Sequence, residues 1–280
     1  MTRLLVVNPN TSPDMTRTIA ESAERAALAT GVECDTVCPS EGPESIEGRF
    51  DEIVSAYWTL DCVMRLADRY DGVVVACFGP HPAVEGIREA TSLPTLGIME
   101  ASILYALPLG ARFSVVTTSP RWEPLVEEGV RMLGVASRCA SVRSSGMAVL
   151  DLDRLPREKV CQRLAEEART AVEEDGAEVI ILGCAGMAGL ESLVAETTGV
   201  PVIDAVWAGV IMAGALARAG ARTSKRNLYR PVDTRPSVNV PPGLARVYRG
   251  SAARIPGQQS GQHPEDGPGP ADSGVTTEGQ

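Results

Sequence analysis

Two cysteines sit in matched settings one repeat apart, and this repeat constrains the fold more than any other feature of the chain. Cys77 ends the run Gly72-Val73-Val74-Val75-Ala76, and Cys184 ends the run Val179-Ile180-Ile181-Leu182-Gly183. Each is followed two residues on by a glycine, Gly79 or Gly186. Each is followed seventeen residues on by a proline that opens another apolar run, Pro94 or Pro201. The offset is 107 residues for both pairs, as expected of one half-domain used twice with a thiol at the same strand end. Two thiols facing one cleft suit a reaction that takes a proton from one face of a carbon and returns it to the other.

Apolar runs alternate with helix-like stretches through residues 1–220. Strands are expected at 3–8, 32–37, 72–77, 94–98, 112–118, 138–143, 177–183 and 201–204. Helices are expected at 13–29, 51–69, 83–91, 100–107, 121–133, 155–174, 187–197 and 205–219. Unbroken Val/Ile/Leu runs between helices indicate parallel sheets covered on both faces. The expected class is α/β, with a parallel sheet in each half. Residues 1–107 make the first lobe, with the chain's last helix packing on it, and 108–220 make the second. Ligands in such sheets bind beyond the carboxyl ends of the strands, where both cysteines fall.

Residues 231–280 hold eight prolines and eight glycines with little apolar clustering. Such a segment buries too little surface to offset its ordering entropy. A disordered tail is therefore expected over 221–280. That stretch carries a net charge of +3, so the −10 of the whole chain hides −13 in the first 220 residues. An acidic body with no basic stripe argues against a nucleic-acid partner and leaves a small-molecule substrate. No apolar run approaches the roughly 20 residues of a membrane span. Met1-Thr2-Arg3 leads directly into Leu4-Leu5-Val6-Val7, too short a start for a signal peptide. A cytoplasmic location is the default expectation. Seven scattered cysteines fit reduced thiols, and two histidines, His81 and His263, make a zinc site unexpected.

Cys34, Cys38, Cys62, Cys139 and Cys161 read as small buried hydrophobes. Cys77 and Cys184 each precede a short turn and an expected helix, whose unpaired N–H groups would lower a thiol's pKa. One could then wait as thiolate base and the other as thiol acid. In the loop Asn8-Pro9-Asn10-Thr11-Ser12-Pro13-Asp14, capping explains Ser12, Pro13 and Asp14. It does not explain Asn8 and Asn10, whose amides are candidates to hold substrate. Thr117 and Thr118 end the fifth strand and can either cap or bind substrate, while Ser119 is expected to cap. His81 reads as a solvated loop side chain, with a catalytic role as the alternative. Gly183-Cys184-Ala185-Gly186-Met187-Ala188-Gly189, with Asp204 downstream, partly matches a dinucleotide fingerprint, but Cys184 stands where glycine is required. The glycines fit better as allowing backbone N–H groups close to a carbonyl or enolate oxygen.

Six motifs in order resemble the hydantoin racemase branch of the aspartate/glutamate racemase superfamily, which includes allantoin racemase. They are Val7-Asn8-Pro9-Asn10-Thr11, Gly42-Pro43-Glu44-Ser45-Ile46-Glu47-Gly48, Ala76-Cys77-Phe78-Gly79, Gly97-Ile98-Met99-Glu100-Ala101, Phe113-Ser114-Val115-Val116-Thr117-Thr118 and Leu182-Gly183-Cys184-Ala185-Gly186-Met187. The resemblance spans residues 3–219. It implies two α/β half-domains related by a pseudo-twofold axis, a site between them, no metal, no organic cofactor and a homo-oligomer. It implies that Cys77 and Cys184 are the paired acid and base. It also implies a pocket lined by Asn8, Ser45, Phe78, Gly79, Thr117, Thr118, Ala185 and Gly186.

Two departures bear on substrate. Amino-acid racemases of the superfamily carry an acid and a histidine where Asn8 and Gly186 stand here. The thiols are thus expected to work without ionisable helpers, which favours a neutral substrate with an acidic ring C–H. Pro80-His81-Pro82 also replaces a turn that is usually acidic in the hydantoin branch. Racemisation of a 5-substituted hydantoin or related cyclic ureide is the leading expectation. The alternatives are amino-acid racemisation, maleate isomerisation, arylmalonate-type decarboxylation, or small-molecule binding without turnover.

Overall fold

A computed structural model of the chain describes residues 1–250. It contains two four-stranded parallel sheets. The first has the order β2-β1-β3-β4, from β1 (Arg3–Val7), β2 (Glu33–Val37), β3 (Gly72–Val75) and β4 (Thr95–Gly97). The second repeats that order as β6-β5-β7-β8, from β5 (Phe113–Thr117), β6 (Cys139–Ser144), β7 (Val179–Leu182) and β8 (Val202–Asp204). All eight expected strands are present. The inner strands are buried along their whole length in β3, β5 and β7, as their unbroken apolar sequences require. The outer strands β2 and β6 read Glu33-Cys34-Asp35-Thr36-Val37 and Cys139-Ala140-Ser141-Val142-Arg143-Ser144, and both stay partly exposed.

The eight expected helices also form, with shifted ends. They are α1 (Pro13–Thr30), α2 (Arg49–Leu66), α3 (Pro82–Ala90), α4 (Ile98–Ala106), α5 (Glu123–Met132), α7 (Arg157–Glu173), α8 (Glu191–Thr198) and α9 (Ala205–Arg218). Two short helices were not expected, α6 (Asp151–Arg154) and α10 (Pro242–Tyr248). Ser12 caps α1 by accepting the Met15 N–H at 3.2 Å, with Pro13 in the first turn, and Gly31 closes the helix at φ +65°.

Each half lends its last helix to the other. α9 follows β8 yet packs across β1, β3 and β4 of the first sheet, while α4 follows β4 and reaches β7 and β8 of the second. One continuous core results, running from Leu4, Val6, Val74 and Leu96 through Ile98 and Val206 to Val115, Ile181 and Ile203. Among the described residues, no helix is long and apolar enough to cross a membrane.

Part of the segment expected to lack structure is ordered. Residues 221–250 run back over the first lobe, where the Thr223 N–H donates to the Ser92 carbonyl at 2.9 Å. Tyr229 donates its hydroxyl to Glu85 at 2.6 Å. α10 docks on α2: the Gly243 N–H reaches Asp61 Oδ1 at 2.7 Å and Arg246 pairs with Asp68 at 2.6 Å. The positive balance of this segment meets the acidic body, and its donors find backbone carbonyls. Apolar clustering alone does not register either effect. Residues 251–280 of the expected tail lie outside the described residues.

The helix exchange depends on close approach at Gly209, where a Cβ would lie 2.9 Å from Val74 Cγ1 and 3.1 Å from Ile98 Cγ2. Gly209→Val is expected to push α9 off the first sheet and destabilise the fold by about 1–3 kcal/mol. The check is a lower urea midpoint at unchanged slope in equilibrium unfolding.

Candidate active site

In both sheets the chain order reverses between the two inner strands, β1 and β3 in one and β5 and β7 in the other. Such switch points leave a crevice beyond the carboxyl ends, because the connections leave in opposite directions. The loops after these four strands supply Asn8, Asn10, Cys77, Phe78, Thr118, Cys184 and Ala185 to a single cleft. The empty space in the cleft, counted together with the adjoining open solvent, is about 360 Å³, of which about 30 Å³ is room for the centres of water-sized molecules. Each cysteine lies two residues beyond its strand, after Val75 or Leu182. Thus the duplicated position in the sequence is a duplicated position in space.

Of the residues expected at the site, these seven line the cleft, whereas Ser45, Gly79, Thr117 and Gly186 do not. Thr117 directs its hydroxyl to the Gly183 carbonyl at 3.3 Å, tying β5 to β7. Ile46 takes the lining position beside Ser45. Gly79 and Gly186 are needed for packing: a Cβ on the first would lie 2.9 Å from Trp122, and on the second 2.9 Å from Leu152. Asn8 and Asn10 brace each other, with Asn8 Nδ2 donating to Asn10 Oδ1 at 2.7 Å and to Thr16 Oγ1 at 2.9 Å. Asn10 Nδ2 points at the Met15 sulfur, 3.3 Å away, a soft acceptor that a ligand can displace.

Sequence reasoning missed Met15, Ile46, Trp122 and Val149, which give the cleft an apolar wall. Trp122 follows Pro120 in a one-turn 3-10 helix and packs with Ile46 and Cys77. Only its bulk beside a strand-end turn could have marked it. Ser119 precedes that turn without capping it by its side chain.

The electrostatics differ from expectation. Cys77 is followed by four residues before α3, and Cys184 by a 3-10 turn (Ala185–Met187) before α8, so neither thiol abuts an α-helix N-terminus. Burial raises both thiols instead of the expected lowering. Cys184 is pushed up to about 12, with the Gly186 N–H at its sulfur opposing the shift and Glu47 and Asp153 adding to it. Cys77 goes well above the usual thiol value through burial, then through the nearby Glu52 carboxylate and Cys184. Glu52 is an ionisable neighbour of Cys77 that the sequence did not point to. Its carboxyl is raised to about 7, chiefly by burial.

His81 is neither solvated nor in the cleft. Its Nδ1 accepts the Ala83 N–H at 3.3 Å and caps α3, so the proton sits on Nε2, 2.9 Å from Ser55 Oγ. Ser55 passes its own proton to the Glu52 carbonyl at 3.0 Å. Asp204 is equally committed: Oδ1 accepts the Val206 N–H at 2.8 Å to cap α9, and Oδ2 accepts from Ser22 Oγ at 2.6 Å and the Gly189 N–H at 3.1 Å. A ribose would find no free carboxylate there.

Burial lowers His81 to about 4. The unfolded chain takes up the His81 proton first, so this group alone costs up to roughly 3 kcal/mol of stability as pH drops from about 6.5 to about 4. The raised Glu52 carboxyl acts in the opposite direction over that range. His81→Asn, which keeps a capping side chain, is expected to gain stability relative to the unaltered protein as pH falls through that window. Urea unfolding at pH 7 and pH 4.5 measures the difference.

The profile of the Asp/Glu/Hydantoin racemase family matches residues 4–213. A hydantoin racemase of Pseudomonas sp. (strain NS671) is 40% identical over 229 residues, covering 81% of this chain and 91% of that protein. The crystal structure of allantoin racemase from Pseudomonas fluorescens superposes with a TM-score of 0.81 at 41% identity, covering 85% of this chain and all of that one. Allantoin racemase from Klebsiella pneumoniae gives a TM-score of 0.80 at 37% identity over 85% of this chain and 97% of that one. The chain therefore belongs to the Asp/Glu/hydantoin racemase family and is an isomerase of its racemase class.

Proposed function

We propose that the protein racemises 5-substituted hydantoins or a related cyclic ureide such as allantoin, by proton transfer between Cys77, Cys184 and the ring stereocentre. The observation that carries this is the meeting of both cysteines in one cleft, each from the switch point of its own sheet. The thiolate of one cysteine takes the proton from one face of the carbon. Charge moves to the adjoining carbonyl oxygen as an enolate, and the thiol of the other cysteine returns a proton to the opposite face. Each turnover leaves the two thiols with exchanged roles. Backbone N–H groups of the turns at Phe78 and Ala185 are the candidates to hold the enolate oxygen.

The lining supports a neutral ring over a zwitterion or a dicarboxylate. Among the described residues, none that lines the cleft is Asp, Glu, Lys, Arg or His. Burying a free ammonium and carboxylate there would be costly without partners. Ile46, Phe78, Trp122 and Val149 suit an apolar 5-substituent, while Asn10 and Thr118 offer polar contacts to ring amides. The same reading includes a cytoplasmic homo-oligomer that needs neither metal nor organic cofactor. All seven cysteines are free, in keeping with a reducing compartment.

Single enantiomers of several hydantoins and of allantoin, incubated in D₂O, should lose optical rotation as deuterium enters at the stereocentre. Cys77→Ser and Cys184→Ser should each lower racemisation by at least about a thousandfold, since a seldom-ionised hydroxyl replaces an essential acid or base. Full racemisation by both variants would remove the two-thiol mechanism. Inactivity of the unaltered protein on every cyclic ureide would remove the substrate assignment.

A further inference from the structure

Glu52 takes no part in the proton transfer just described, yet it is placed to govern it. It lies in the first turn of α2 and is 1% exposed, and its Oε1 is buried with no hydrogen-bond partner among the described residues. A Cβ on Gly79 would fall 2.5 Å from that oxygen and 2.9 Å from Trp122. Glycine at position 79, two residues beyond Cys77, is what lets the carboxyl approach the Cys77 turn.

The surroundings of the two thiols are therefore unlike. Cys77 feels the Glu52 carboxylate more than any other charge, followed by Cys184. Glu52 in turn feels Arg49, which pairs with Glu128 of α5, and Glu128 itself. His81 is neutral and directs Nε2–H to Ser55. At Cys184 the strongest effect after burial is favourable to the thiolate, the Gly186 N–H at the sulfur. Glu47 and Asp153 oppose it there, each by less, and Glu47 Oε1 is occupied by the Val149 N–H at 3.0 Å.

We propose that Glu52 is a positioning residue for Cys77: its buried carboxylate, set against the Cys77 turn, adds to burial in holding Cys77 as the thiol at rest, so that Cys184 ionises first and enters the cycle as base. The catalytic consequence rests on the racemase reading, but the charge assignment does not. Glu52 ionises near neutrality, so its influence is switched on as pH rises through about 7.

Timed alkylation with iodoacetamide tests this on the full chain without substrate, with rates at Cys77 and Cys184 read by peptide mass spectrometry between pH 6 and pH 9. At pH 6 the protonated carboxyl resembles an amide, so Cys77 in Glu52→Gln should react at the rate found in the unaltered protein. Above pH 7 the Glu52→Gln rate at Cys77 should pull ahead by about tenfold, the effect of one pKa unit of like-charge repulsion. The Cys184 rate should not change, which also reports an intact cleft. Glu52→Asp, which keeps the charge, should follow the unaltered protein's profile. Equal Cys77 rates at every pH, or a difference as large at pH 6 as at pH 9, would overturn the proposal, the latter by making Glu52 a packing residue. Failure of the protein to racemise any cyclic ureide would leave these rates unaffected and would count against the function alone.

Discussion

The packing of α9 on the first sheet and of α4 on the second holds the rest of the structure in place. One face of each sheet is completed in part by a helix from the other half, so the two halves bury their apolar strands together. Exchange of the two helices makes one core from two sheets. Asp204 pins the arrangement from the side, joining the start of α9 to Ser22 on α1 and to the turn at Gly189. The two switch-point crevices therefore meet through packing, and the strands that lead into Cys77 and Cys184 share one core. A site that must deliver a proton to either face of one carbon needs such support, since small displacements of reacting groups are costly.

On the proposed mechanism, the same burial that holds the site makes proton abstraction harder. Both thiols are raised, so a thiolate in the cleft is scarce at neutral pH. A strong base generated rarely can still work on a C–H whose anion is well stabilised. In a hydantoin-like ring the carbon lies between a carbonyl and a nitrogen, and the anion spreads onto oxygen. On the proposed mechanism the uncharged lining suits that enolate, because backbone N–H groups are worth more where water is excluded. A free amino acid would bring an ammonium and a carboxylate into a cleft that lacks partners for either.

Much of this was legible in the sequence. The alternating runs gave every strand, because inner strands of a two-sided sheet must be continuously apolar, and Val73–Val75 and Val179–Leu182 are. The duplicated offset located both cysteines at equivalent strand ends. What stayed hidden depends on contacts distant in sequence. Glu52 lies in the first turn of a helix, where an acid is ordinarily a solvated partner of the dipole. In α2 the usual polarity is reversed: Glu52, Ser55 and Thr59 are buried, while Phe50, Ile53 and Tyr57 are exposed. A pattern rule applied to α2 assigns its faces the wrong way round. Likewise a proline- and glycine-rich segment gave no sign that Gly243 and Arg246 would find Asp61, Met64 and Asp68 on that helix.

Duplication preserved the strand ends but not the turns that follow them. After Cys77 the chain runs through Gly79 to a histidine cap, with an acid set against the turn, whereas after Cys184 a 3-10 turn brings an N–H to the sulfur. For a racemase this asymmetry has a strict limit. Enantiomers have equal free energy in water, so kcat/KM must be the same in both directions however unlike the two thiols are. Unequal thiols can alter only how the enzyme divides between its two protonation states at rest. On the proposed mechanism that division sets kcat and KM separately for each enantiomer, so the enantiomer that meets its base already ionised has the lower KM and, in proportion, the lower kcat. The local chemistry that distinguishes Cys77 from Cys184 thus shapes saturation by each enantiomer and leaves the equilibrium untouched.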